Sequence, residues 1–215
     1  MKYAVSIYSF NQYLQKGFSP EECIVKAKEM GFNAIEIVDF IFGGKDKFEY
    51  AKILKQKADE VGISISNLAI GANLLSEDGV KQALEYVDVA SILGAPFMRH
   101  DMCSHEGLQH WQGYDNVLDT LASATTEITE YAKTKGIKTM TENHGYFSQD
   151  SDRVELLINT VANDNFGQLV DIGNFLCADE NPSQAVGRCA PYAFYVHAKD
   201  FIVKPFQAER VLEAV

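Results

Sequence analysis

Short apolar runs alternate along this chain with longer stretches in which apolar residues recur every three or four positions. The short runs Tyr3–Tyr8, Ala34–Val38, Ile63–Leu68, Pro96–His100, Ile137–Glu142, Gly167–Asp171 and Ala193–His197 predict strands. The stretches between them predict helices; in Phe48–Val61, for instance, Tyr50, Ile53, Leu54, Lys57 and Ala58 share one face. Start and stop signals agree with this division. Ser19-Pro20-Glu21-Glu22 offers an N-cap, a proline at the first helical position and a capping-box glutamate, and Gly31 ends that helix. Ser76 opens a helix that stops at Gly94, and another runs from Gly113 to Gly136. Ser151 and Asn181-Pro182 start two more, while Gly62 closes Phe48–Val61.

The spacing from strand to strand is roughly 30 residues, the size of a βαβ unit. Such alternation predicts a parallel sheet with helices outside, as one domain over residues 1–215. Two features favour a closed barrel over an open sheet. No G-x-G-x-x-G follows the first strand, and ligand-type residues recur at many strand ends rather than at one switch point. The strand count is short of a full barrel, which typically takes about 250 residues. Seven strands are found, and the tail Phe206–Val215 reads as a short helix with Val211, Leu212 and Val215 on one side. The expected architecture is a barrel lacking its eighth βα unit.

Composition narrows the function. The 215 residues are 47% hydrophobic and 23% charged, which suits a globular domain with an ample core. A formal charge of −11 argues against general binding to nucleic acid or anionic membrane, although a locally basic pocket could hold a sugar phosphate. Cys23, Cys103, Cys177 and Cys189 show no CxxC spacing, so free thiols in a reducing compartment are expected. Neither a signal peptide nor an apolar span long enough for a bilayer is found, and a cytoplasmic location is expected.

Three runs carry the chemistry: Thr141-Glu142-Asn143-His144-Gly145, Val170-Asp171-Ile172-Gly173-Asn174 and Val196-His197-Ala198-Lys199-Asp200. Each puts a metal-ligand type (Glu142, Asp171, His197) where a strand gives way to a loop, the rim on which parallel barrels build active sites. Singly, each reads more readily as a hydrogen-bonded strand-end residue than as a ligand. Together they suit a divalent ion such as Mn²⁺, Mg²⁺, Co²⁺ or Zn²⁺. Because alternate strand residues share a face, His144 should lie above Glu142, Gly173 beside Asp171, and Lys199 above His197. Lys199 and His144 are therefore candidates for substrate contact. Glu36 lies among isoleucines and should point inward; Arg99 or a substrate hydroxyl would satisfy its charge. His100 cannot share a face with Arg99. His100, Asn73, His105, His110 and Trp111 are weaker candidates, and the last three fall in a long loop, Cys103–Gly113, of the kind that covers substrates.

These runs resemble the sugar isomerase and epimerase group of the xylose-isomerase-like TIM (β/α) barrels, which includes ketose 3-epimerases, hydroxypyruvate isomerase-like proteins and inosose dehydratases. The resemblance spans Tyr3 to Phe201, with its specific part in the last three motifs. It implies metal ligands at Glu142, Asp171 and His197, with the fourth ligand, a strand-eight Glu, lacking a counterpart. It also implies proton transfer through a metal-bound enediolate, with Glu142 as one of two proton-moving carboxylates and the absent strand-eight Glu as the other. Glu209 and Glu213 in the tail are weak candidates to replace it, since neither sits on a strand end. Glu36, Arg99, His144, Asn174 and Lys199 would then contact substrate. The implied partner is a small sugar or sugar phosphate, and the implied assembly a dimer or tetramer. The alternatives are a hydro-lyase acting on an inositol-derived ketone and a truncated barrel that binds ligand without turnover. A metal-dependent endonuclease fits less well, because Asn174 stands where those enzymes carry a histidine.

Overall fold

The computed structural model describes residues 3–103, 108–109, 112–145, 147–203 and 212–214. Seven strands, β1 (Ala4–Ser6), β2 (Ala34–Val38), β3 (Ser64–Ile70), β4 (Phe97–His100), β5 (Lys138–Glu142), β6 (Phe166–Asp171) and β7 (Ala193–His197), form one sheet in sequence order. Every neighbouring pair is parallel. After a short α1 (Asn11–Gln15), the connecting helices are α2 (Pro20–Glu29), α3 (Lys47–Val61), α4 (Glu77–Leu93), α5 (Tyr114–Thr134), α6 (Ser151–Val161) and α7 (Pro182–Cys189). Among the described residues β1 and β7 each have one sheet neighbour, so this is an incomplete barrel.

Helix-start signals act where they were expected at Ser19, Ser76 and Asn181, while Asp46 and Asp150 are caps outside that expectation. Ser19 and Glu22 form a reciprocal capping box on α2, with Pro20 in its first turn. Asp46, Ser76, Asp150 and Asn181 cap four more helices through side-chain oxygens. Gly62 and Gly94 end α3 and α4 in the left-handed region (φ 70° and 68°), where a Cβ would cost energy. Helices α2 to α6 each bury one face, Leu54, Val87, Leu121 and Val154 among the residues, in one continuous core, while Ala185 and Cys189 of α7 form a second cluster with Val170 and Phe175.

The tail departs from the expected helix. Leu212–Ala214 is a strand, β9, paired antiparallel with β8 (Phe201–Val203). Three apolar positions in ten residues fit either period, and a partner strand decides the conformation through main-chain hydrogen bonds. None of the described helices is long and apolar enough to cross a membrane.

Candidate metal centre

Parallel pairing in sequence order brings the ends of β5, β6 and β7 side by side, and their last residues are Glu142, Asp171 and His197. One donor atom from each lies within 4.8 Å of the other two. His197 Nδ1 stands 3.7 Å from Glu142 Oε1 and 3.9 Å from Asp171 Oδ2. The three expected ligands therefore converge on one point at the carboxyl rim of the sheet.

Each ligand is held by its other atom. Glu142 Oε2 receives a charged hydrogen bond from Arg99 at 2.6 Å. Asp171 Oδ1 accepts the backbone amides of Gly173 and Asn174, both at 3.0 Å. His197 Nε2 lies 2.9 Å from Glu36 Oε2. The atoms left facing inward are Glu142 Oε1, Asp171 Oδ2 and His197 Nδ1. Asn143 fixes β6 against β5 by bonding both main-chain groups of Asp171, its amide at 2.9 Å and its carbonyl at 2.8 Å.

Electrostatics follow from this crowding. Burial would raise the Glu142 carboxyl, but Arg99 and His197 hold it down at about 2. Burial opposes a charge on His197 too, yet Glu142 and Glu36 push its imidazole up to about 10. Asp171 is raised by burial, Lys199 lowering it and Glu142 raising it further. Arg99 and Lys199 offset part of the charge of the three buried acids, and the rest falls on the one imidazole between them. Two carboxylate oxygens and an imidazole nitrogen aimed at one point suit a divalent cation, so the residues present fit such an ion.

The remaining candidates separate clearly. Arg99 turns to Asp101 (3.1 Å) and the Ile70 carbonyl oxygen (3.1 Å) as well as Glu142, and forms no ion pair with Glu36. Glu36 instead accepts from Asn67 Nδ2 at 2.9 Å, besides its bond to His197. His144 is half exposed above Glu142, with Nδ1 3.1 Å from Asp101 Oδ1. Lys199 donates to Asn174 Oδ1 at 2.6 Å, and Asn174 Nδ2 donates to Glu142 Oε1 at 3.1 Å. His100 points away from the site, fully buried and stacked on Phe166. Asn73 shapes the turn before α4, its side chain accepting from the Leu75 amide. His105, His110, Trp111 and Glu209 lie outside the described residues. Sequence reasoning missed Asp101, which bridges Arg99 and His144. Its position directly after β4 is the same strand-end signal that singled out Glu142, Asp171 and His197.

The sequence pattern of the xylose isomerase-like TIM barrels matches residues 24–211. Similar solved structures include the probable 3-DHS dehydratase AsbF involved in petrobactin synthesis from Bacillus anthracis, at TM-score 0.74 and 15% identity, covering 94% of this chain and 74% of that one. A D-psicose 3-epimerase from Clostridium cellulolyticum, solved with D-tagatose, gives TM-score 0.75 and 14% identity, covering 92% and 72%. A xylose isomerase-like TIM barrel protein from Mycobacterium smegmatis, solved in complex with magnesium, gives 0.69 and 19%, covering 90% and 70%. Comparison with curated proteins gives no match. Seven parallel strands in sequence order with helices outside define an incomplete (β/α) barrel, with a candidate metal centre on its carboxyl rim. The chain belongs to the xylose isomerase-like TIM barrel family.

Proposed function

We propose that this chain is a divalent-metal-dependent isomerase or epimerase of a small sugar or sugar phosphate, working by proton transfer next to a carbonyl. The observation that carries this reading is the convergence of Glu142, Asp171 and His197 within 4.8 Å. Epimerases of psicose and ribulose among the structural neighbours support the substrate class. A bound divalent ion would supply Lewis-acid polarisation of the substrate carbonyl and an adjacent hydroxyl. Glu142, Asp171 and His197 would hold it.

The protein's own groups do the rest. Glu142 stays ionised at neutral pH because Arg99 and His197 favour its charge, which leaves its carboxylate able to take a proton from the adjacent carbon. Lys199 Nζ, close to Asn174 and Asp171, presents a cation to a substrate hydroxyl or phosphate. Asn174 steadies both Lys199 and Glu142. Among the described residues the sheet has no eighth strand, so the second proton is not assigned to a strand-end carboxylate.

A second reading is loss of water by the same proton abstraction. The half-exposed His144, oriented by Asp101, favours it as a donor to a departing hydroxyl. A panel of ketoses, their phosphates and inositol-derived ketones, tested with Mn²⁺ or Co²⁺, decides between them. Carbon-epimer exchange without an unsaturated product supports the epimerase; an unsaturated product supports the hydro-lyase. Neither reaction across the panel, with metal bound, rejects both.

A further inference from the structure

We propose that Glu36 is a positioning residue: it holds the Nε2 proton of His197 and thereby presents the Nδ1 lone pair to the cation. This rests on the metal reading above and assigns a role to a carboxylate outside the three ligands. Glu36 sits on β2, five strands away from β7 in the sheet, yet its Oε2 reaches His197 Nε2 across the interior at 2.9 Å. Its side chain is only 2% exposed. The same oxygen accepts Asn67 Nδ2 from β3 at 2.9 Å, so the carboxylate cannot turn without breaking two bonds.

An ionised carboxylate only accepts, so the bond to His197 requires the proton on Nε2. When a cation binds, the opposite nitrogen gives up its proton and turns its lone pair to the position beside Glu142 Oε1 and Asp171 Oδ2. The ring plane is fixed as well. Tyr195 meets the imidazole edge to face, with centroids 5.9 Å apart at 87°, and its hydroxyl is anchored 2.9 Å from Ser66 on β3. Carboxylates that hold the outer nitrogen of a ligating histidine set its tautomer and basicity, and losing one typically costs about 10–100-fold in metal affinity. A buried acid in an otherwise apolar strand thus has a reason to be there.

The test uses the full chain as wild type, Glu36→Leu and Glu36→Gln. Calorimetry with Mn²⁺ measures affinity, and ¹⁵N spectra of the imidazoles in the Zn²⁺-loaded protein report which nitrogen of His197 bears hydrogen. We expect Nε2–H with Nδ1 bound in the wild type, and a loss of about 10–100-fold in Mn²⁺ affinity for Glu36→Leu. Glu36→Gln should recover most of that loss, because its carbonyl accepts the same proton. Wild-type affinity in Glu36→Leu, or Nε2 bound to metal in the wild type, overturns the positioning role alone. A wild type that binds no Mn²⁺ overturns the metal reading and this role with it. Should Glu36→Leu fail to fold, the wild-type tautomer and the affinity of Glu36→Gln still decide.

Discussion

Arg99 and Glu142 meet at 2.6 Å with side-chain exposures of 9% and 6%, so the strongest ion pair of the site is a buried one. Removing one member of such a pair leaves the other charged and unsolvated, at a cost of about 3–5 kcal/mol. Arg99→Met should therefore destabilise the fold by that order in urea denaturation. Adding Glu142→Gln to the same chain should restore much of the loss. A single variant within about 1 kcal/mol of wild type would show that water reaches Glu142 freely.

Asp171 turns Oδ2 toward His197 and Lys199 at the proposed metal position and spends its other oxygen on two backbone amides. Asp171→Ala should lose more Mn²⁺ affinity than the roughly 10–100-fold that outer partners supply. In wild type, Mn²⁺ at about 100 times its Kd should add about 2.7 kcal/mol of stability, and chelation should remove it. Thermal shifts with and without chelator read this directly. Equal, negligible shifts for both proteins would sink the metal assignment.

Gly173 is required by close approach rather than by its backbone angle. A Cβ there would lie 2.7 Å from the Lys199 carbonyl oxygen, pushing the segment after β7 away from β6. Gly173→Ala should cost about 1–3 kcal/mol. It should also raise KM more than it lowers kcat, since Lys199 moves while Glu142 does not. Unchanged kinetics would place Lys199 outside the substrate site.

His100 makes stability fall in mild acid. Burial holds its imidazole down at about 4, against an ordinary 6.5, with no compensating anion at Nε2. The unfolded chain therefore takes up a proton that the folded chain refuses. Its contribution is fully present above pH 6.5 and drains away as pH falls toward 4, on the order of 3 kcal/mol at about 1.4 per unit. His100→Phe keeps the stack on Phe166 and removes the titration, so its stability should be flatter between pH 6.5 and 4 in parallel denaturation series. Identical slopes for the two proteins would mean that His100 charges in place.

Much of this architecture is legible in the sequence because local chemistry and tertiary packing agree. Ser19 with Glu22, Gly62 and Gly94 mark helix ends by rules that need no partner strand. Glu142, Asp171 and His197 were legible for a related reason: adjacent parallel strands bring equivalent strand ends together. What the sequence hides is pairing across the interior. Arg99 looked like a partner for Glu36, but Arg99 faces Glu142 and Asp101, while Glu36 meets His197, 161 positions later. Strand alternation tells which face a side chain takes, not which of six other strands it reaches. The β8–β9 hairpin was hidden likewise, since three-residue strands exist only through each other.

The bridges from β7 to the first part of the chain, His197 to Glu36 and Tyr195 to Ser66, also order events in time. Contacts between residues so distant in sequence close large loops and form late in folding. A nascent or partly unfolded chain can own every βα unit up to β6 and still lack a working imidazole. With the cation held as proposed, its uptake would report that the sheet from β2 to β7 has curled into place, and would come late in folding.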